Sequence, residues 1–297
     1  MFKGLCAFPL TPVTTQGVDE KGFTKLLSRL TEARVDSIGV LGSTGSYAYL
    51  TREQRKRITL IAREQSAGIP LMVCVGAVST EQVLQHAEDA QNAGAEALLL
   101  PAMSYQRLSD DEVFGLFETV TQNVSLPVCI YDNPGTTHFE YSDELYGRLS
   151  ELHGVRSVKI PGVPNSPSTA AQRVKQIRSH LSSDVSIGIS GDAFAGLGLN
   201  AGCDIWYSVC GGLFPITAKE ITDAAAKNDK DGVTERVVRL EPLWALFRKH
   251  GGSLRVIAAA AGIMGITEID CLPRPLRPLH ADDVTEIARV ISQLGLD

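Results

Sequence analysis

The segment Ser157-Val158-Lys159-Ile160-Pro161-Gly162 puts a lysine at the end of a short β-branched run. Side chains alternate along a strand, so Val158 and Ile160 face one layer while Ser157 and Lys159 face the other. If that second layer is a dry interior, an ammonium is costly there and tends to shed its proton. A neutral amine is what adds to a ketone to form a Schiff base. The same spacing fits a lysine that has left the strand and stands in water, as most lysines do, and periodicity leaves both readings open. A second segment, Cys129-Ile130-Tyr131-Asp132-Asn133-Pro134-Gly135-Thr136-Thr137, gives Tyr131 the parity of Cys129. A phenol next to Lys159 would carry protons to and from a carbonyl oxygen; a packed core ring is the plainer alternative. A third, Gly42-Ser43-Thr44-Gly45-Ser46, makes a turn of backbone N–H groups and hydroxyls that suits a carboxylate and is also a common kind of turn. Further on, Ser186, Gly188 and Ser190 alternate with Val185, Ile187 and Ile189, so one face is almost without side chains and leaves room. Gly191-Asp192 follows, with Asp192 expected to cap the next helix, contact with a polyhydroxylated substrate being the alternative.

The elements that would position these groups alternate strand then helix. Apolar runs at 5–10, 37–41, 71–75, 97–100, 128–131, 155–160, 185–190 and 205–209 read as eight strands. Between them lie amphipathic stretches with helix-start residues: Asp19 before 20–33, Thr51 before 52–65, Ser79 before 80–93 and Ser109 before 110–122. Thr51 with Gln54, and Ser109 with Glu112, have capping-box spacing. Strands joined through helices pair in parallel, and eight such units close most simply into a (β/α)8 TIM barrel of the α/β class. A doubly wound open sheet is the alternative, but the turn after the first strand holds Pro9 and Pro12 rather than a glycine fingerprint. The barrel is expected over 1–228, with a C-terminal helical region over 229–297 built from 231–250, 253–263 and 281–294. Pro273, Pro275 and Pro278 punctuate an ordered crossing. In such a barrel the reacting groups sit at the carboxyl ends of the strands, where all three segments fall.

The whole chain narrows the classes. Its 297 residues are 44% hydrophobic and 21% charged, with 28 Lys plus Arg against 34 Asp plus Glu. A net charge of -6 without a basic run argues against a nucleic-acid partner. The longest apolar block, 256–266, is about half of what crosses a bilayer, and the amino terminus lacks a signal-peptide pattern, so no membrane is expected and a cytoplasmic location is. Six cysteines without two-residue pairing read as buried thiols, and six histidines show no ligand spacing, so no metal is expected; an imine on a lysine would need no other cofactor either.

Taken together, the three segments resemble the dihydrodipicolinate synthase and N-acetylneuraminate lyase family of class I, Schiff-base aldolases. The likeness runs through the opening Gly4 to Pro12, the Gly-x-Thr-Gly at Gly42 to Gly45, Tyr131-x-x-Pro134, Lys159 and Gly191-Asp192. It implies a homotetramer in which Lys159 holds pyruvate or another 2-oxo acid as an imine and Tyr131 relays protons. It also implies that Ser43 and Thr44 bind the acid's carboxylate, that Thr44 joins a hydroxyl chain toward Tyr131, and that main-chain groups near Tyr207 line the pocket. Departures bear on the second substrate, which can be an aldehyde. The lysine-pathway synthases of the family have an arginine five residues after the tyrosine, where this chain has Thr136. A threonine cannot form arginine's bidentate pair with a carboxylate. Ser46 replaces a glutamate, and Tyr105 lies further along than the family's paired tyrosines, as a related group or a loop anchor. Thr136 and His138 are candidates for the second-substrate end. The expected activity is aldol cleavage or condensation, or dehydration, of a 2-keto-3-deoxy-type acid. The alternatives are 4-hydroxy-tetrahydrodipicolinate synthesis and, in another class, a non-catalytic 2-oxo acid binder.

Overall fold

A computed structural model describes residues 1–296. Eight parallel strands, β1 Gly4–Ala7, β2 Ser37–Val40, β3 Leu71–Cys74, β4 Ala97–Pro101, β5 Val128–Tyr131, β6 Val155–Ile160, β7 Ser186–Ile189 and β8 Ile205–Ser208, close into one barrel in chain order, β1 pairing with both β2 and β8. The strands are buried almost throughout, as expected when helices cover the outside and side chains fill the inside. The chain is therefore a (β/α)8 TIM barrel followed by C-terminal helices.

The helix openings follow their local chemistry. The Asp19 carboxylate accepts from Gly22 N–H at the start of α1 Glu20–Glu32. Reciprocal capping boxes form at Thr51 and Gln54, opening α2 Arg52–Gln65, and at Ser109 and Glu112, opening α4 Asp110–Asn123. Between these two helices, α3 Thr80–Asn92 starts from the Ser79 hydroxyl. The rest of the barrel adds a short turn α5 Pro134–Thr137, then α6 Asp143–Ser150, α7 Pro167–His180, α8 Ala195–Asn200 and α9 Pro215–Ala226.

One helix expected over 231–250 is two, α10 Lys230–Arg239 and α11 Glu241–Lys249. Pro242 has no N–H to donate to the Val238 carbonyl, so the helix breaks at Leu240. A small hairpin pairing Val13–Thr14 with Gly17–Val18 was absent from the sequence reading, because two-residue strands carry no periodicity. The apolar block forms α12 Leu254–Ile263, buried from Val256 to Ala261, and α13 Ala281–Leu294 packs on it. The proline-rich crossing between them is tied down where Val13 N–H donates to Cys271 O at 2.9 Å, with Cys271 and Leu272 buried. Among the described residues no helix is long and apolar enough to cross a membrane. All six cysteines are free and buried.

Candidate active site

The register of β5 against β6 opposes Tyr131 and Lys159, and one step earlier Cys129 and Ser157, so all four side chains point into the barrel. Lys159 is 4% exposed and Tyr131 is 3% exposed. The Lys159 Nζ lies 4.1 Å from the centre of the Phe8 ring, 4.2 Å from that of Tyr131 and 5.6 Å from that of Tyr207. Its neighbours are thus aromatic faces. Among the described residues Lys159 has no ion pair, so no salt bridge must break before the amine adds to a carbonyl. Of the two sequence readings of Lys159, the inward one describes the fold.

Beneath the lysine the barrel is polar and closed. The Tyr207 hydroxyl is 2.7 Å from Ser157 Oγ and accepts from Cys129 Sγ at 3.4 Å, and Ser186 Oγ donates to Ser157 Oγ at 2.9 Å. Burial pushes the Cys129 thiol up to about 11 and the Cys6 thiol up to about 12, so both stay protonated as interior packing groups. The room expected over the small face of β7 is taken by Tyr207, since a Cβ on Gly188 would sit 2.1 Å from the Tyr207 ring.

Above the lysine, the Tyr131 hydroxyl accepts from Asn133 Nδ2 at 2.9 Å and stands 3.1 Å from Ser43 Oγ. With the amide donating to its oxygen, the phenol can still exchange a proton with Ser43. The sequence reading gave that contact to Thr44. The turn instead directs Ser43 at the phenol, and the buried Thr44 hydroxyl makes no hydrogen bond among the described residues. The turn is tight: Ser46 N–H donates to Ser43 O at 3.0 Å, and a Cβ on Gly45 would meet the Leu41 backbone at 2.8 Å. Among the described residues the N–H groups of Ser43, Thr44 and Gly45 have no acceptor, which suits a carboxylate.

Two carboxylates flank the site without facing it as free charges. Asp132, of opposite parity to Tyr131, takes the Tyr146 hydroxyl on Oδ2, and burial raises it to about 6. Asp192 does not cap the helix that follows it, because its side chain turns to β8. Its Oδ1 accepts from Trp206 Nε1, Ser208 Oγ and Val209 N–H, and its Oδ2 from Cys210 N–H at 2.7 Å. Burial raises it to about 6 as well, against those four donors.

Lys159, Tyr131, Ser43 and Tyr207 line a cavity of about 370 Å³. Asn133, Ser43 and Gly251-Gly252-Ser253 also line a second cavity of about 570 Å³, with Thr44 and Thr136 on its wall. Thr136 is exposed, its hydroxyl on Asn133 O at 3.3 Å. The structure does not bring the other two candidates to Lys159. His138 is exposed at the end of α5, off the walls of both cavities, and Tyr105 is 88% exposed on the loop after β4. Sequence reasoning missed Phe8, Asn133 and the loop between α11 and α12. An amide two residues from Tyr131 was a readable signal for Asn133. The Gly251-Gly252 pair, at φ 66° and 141°, marked a turn through backbone conformations that favour glycine for that loop.

A family model described as "Dihydrodipicolinate synthetase family" matches residues 1–294. The 4-hydroxy-tetrahydrodipicolinate synthase of Protochlamydia amoebophila (strain UWE25) is 31% identical over 229 residues, covering 75% of this chain and 74% of that protein. The protein of the same description from Bartonella tribocorum (strain CIP 105476 / IBS 506) is 27% identical, covering 100% of this chain and 99% of its own. The crystal structure of a dihydrodipicolinate synthase from Agrobacterium tumefaciens str. C58 superposes with a TM-score of 0.94 at 41% identity, covering 99% of this chain and 98% of that one.

Proposed function

We propose, from the premise that this chain belongs to the dihydrodipicolinate synthetase family and is a class I lyase, that it cleaves, condenses or dehydrates a 2-keto-3-deoxy-type acid through an imine on Lys159. The observation that carries the reading is the pairing of Lys159 with Tyr131 across β5 and β6 at the floor of a cavity. The Lys159 amine adds to the C2 carbonyl of the 2-oxo acid, and water leaves as the imine forms. The protonated imine then takes up the electron pair of the bond broken at the neighbouring carbon. Tyr131, with Ser43 on its hydroxyl, supplies and removes the protons on the oxygens. The open N–H groups of residues 43–45 and the Thr44 hydroxyl are suited to the acid's carboxylate, and Tyr207 supports the lysine from below. Thr136 and His138 belong to the second-substrate end in this reading, Thr136 from the wall of the larger cavity and His138 only through a move of its loop. The exposed Tyr105 is free to reach a neighbouring copy in a homotetramer.

A second reading is 4-hydroxy-tetrahydrodipicolinate synthesis, favoured by the names of the relatives above. Thr136 offers no cation to an aldehyde's carboxylate, so this reading requires a cation from elsewhere on the cavity wall. Incubation with pyruvate and sodium borohydride, followed by peptide mass spectrometry, tests the imine. A reduced adduct on Lys159, lost in Lys159→Ala, is expected, and no adduct with excess 2-oxo acid overturns the reading. Turnover of pyruvate with aspartate 4-semialdehyde, measured beside a panel of 2-keto-3-deoxy acids, decides between the two activities.

A further inference from the structure

The larger cavity has an uneven charge. Its wall carries no Asp or Glu, although the chain as a whole is at -6. It does carry Arg255, in the first turn of α12. Arg255 is only partly exposed and makes no hydrogen bond or ion pair among the described residues. Most of the chain's other arginines on helices are committed: Arg52 to Asp89, Arg57 to Glu20, Arg148 to Asp111, Arg173 to Asp143, Arg248 to Glu241. A guanidinium with five donors and no acceptor, half sheltered on a wall without carboxylates, is suited to a planar anion that arrives with a ligand. On the same wall stands His250, its side chain 9% exposed and its Nε2 without a hydrogen bond, 3.7 Å from Asp283 Oδ1.

We propose that Arg255 receives a carboxylate at the far end of the substrate, so that the preferred 2-oxo acids are dianions with an acidic tail. The inference rests on the imine reading: the two cavities share Ser43, Asn133 and residues 251–253 as lining, so the larger one, with Arg255, lies next to the one that holds Lys159, and the tail of an acid held there would point toward α12. The cation then comes from the helical region, and the barrel loop that holds Thr136 has no need to supply one.

The test separates the two ideas by reading adduct formation rather than turnover. Borohydride-trapped adduct on Lys159 is titrated with 2-oxobutyrate, whose tail is neutral, and with the 2-oxo dicarboxylic acids of five, six and seven carbons. The protein, Arg255→Gln, Arg255→Leu and Arg255→Lys are compared. One dicarboxylic acid should half-saturate the protein at a concentration about 10- to 100-fold below that of 2-oxobutyrate, as expected for a charge-assisted pair. Arg255→Gln and Arg255→Leu should abolish that preference, and Arg255→Lys should keep part of it. Adducts formed without any preference, or an equal weakening of every acid in the Arg255 variants, overturn this inference and leave the imine reading standing. No adduct with any acid overturns both.

Discussion

Tyr131→Phe keeps the ring against the Lys159 Nζ and removes only the hydroxyl that Ser43 and Asn133 share. If the phenol moves protons, kcat should fall about 10²- to 10⁴-fold with little change in KM for the oxo acid, as read by steady-state kinetics. An equal loss in KM would make Tyr131 a binding group instead. At this scale strand parity set Lys159 on the face of Ser157 and Tyr131 on that of Cys129, but it left open whether Lys159 faced the interior or water, and the pairing of β5 with β6 in a closed barrel decides that. Ser43 and Thr44 sit in a turn, where no period says which hydroxyl points where. The sequence therefore carried the pair but not their order.

Between elements, fit rather than pattern decides. Gly188 on β7 leaves the space that the Tyr207 ring fills, and the Tyr207 hydroxyl in turn binds Ser157 two residues before Lys159. Gly188→Ala forces an added methyl into that ring. It should destabilise the fold by about 1–3 kcal/mol in denaturant unfolding and lower adduct formation on Lys159, because the support under the lysine shifts. Unchanged stability with unchanged trapping would show that the ring can move aside freely. The helix starts were readable because Asp19, Thr51, Ser79 and Ser109 act on their own next turn. The role of Asp192 was not, because its donors come from β8 and the turn after it, more than a dozen residues along the chain.

For the whole molecule, two carboxyls buried against the barrel bias its response to acid. Asp132 and Asp192 rise from an ordinary 3.8 to about 6 on folding, so the folded protein holds protons that the unfolded chain has released. Stability from these groups is fully present below about pH 4 and is lost as pH rises through about 6. In Asp132→Asn the unfolding free energy should decline less between pH 4 and 6, by on the order of 2–3 kcal/mol, in urea titrations at several pH values. An identical slope in variant and parent would place the Asp132 proton elsewhere. The closed barrel itself was legible from eight strand-helix repeats. The contribution of α11 and α12 to the cavity walls was not, since it depends on how helices beyond residue 228 fold back over the strand ends.

That division of the walls has a practical side. Lys159 and Tyr131 are carried by barrel strands, whereas the loop at 250–253 and Arg255 hang from two helices outside it. The segment can therefore be exchanged as a cassette, like a tool head on a fixed handle. Libraries confined to residues 250–255 should retune which partner is accepted while the lysine chemistry stays in place.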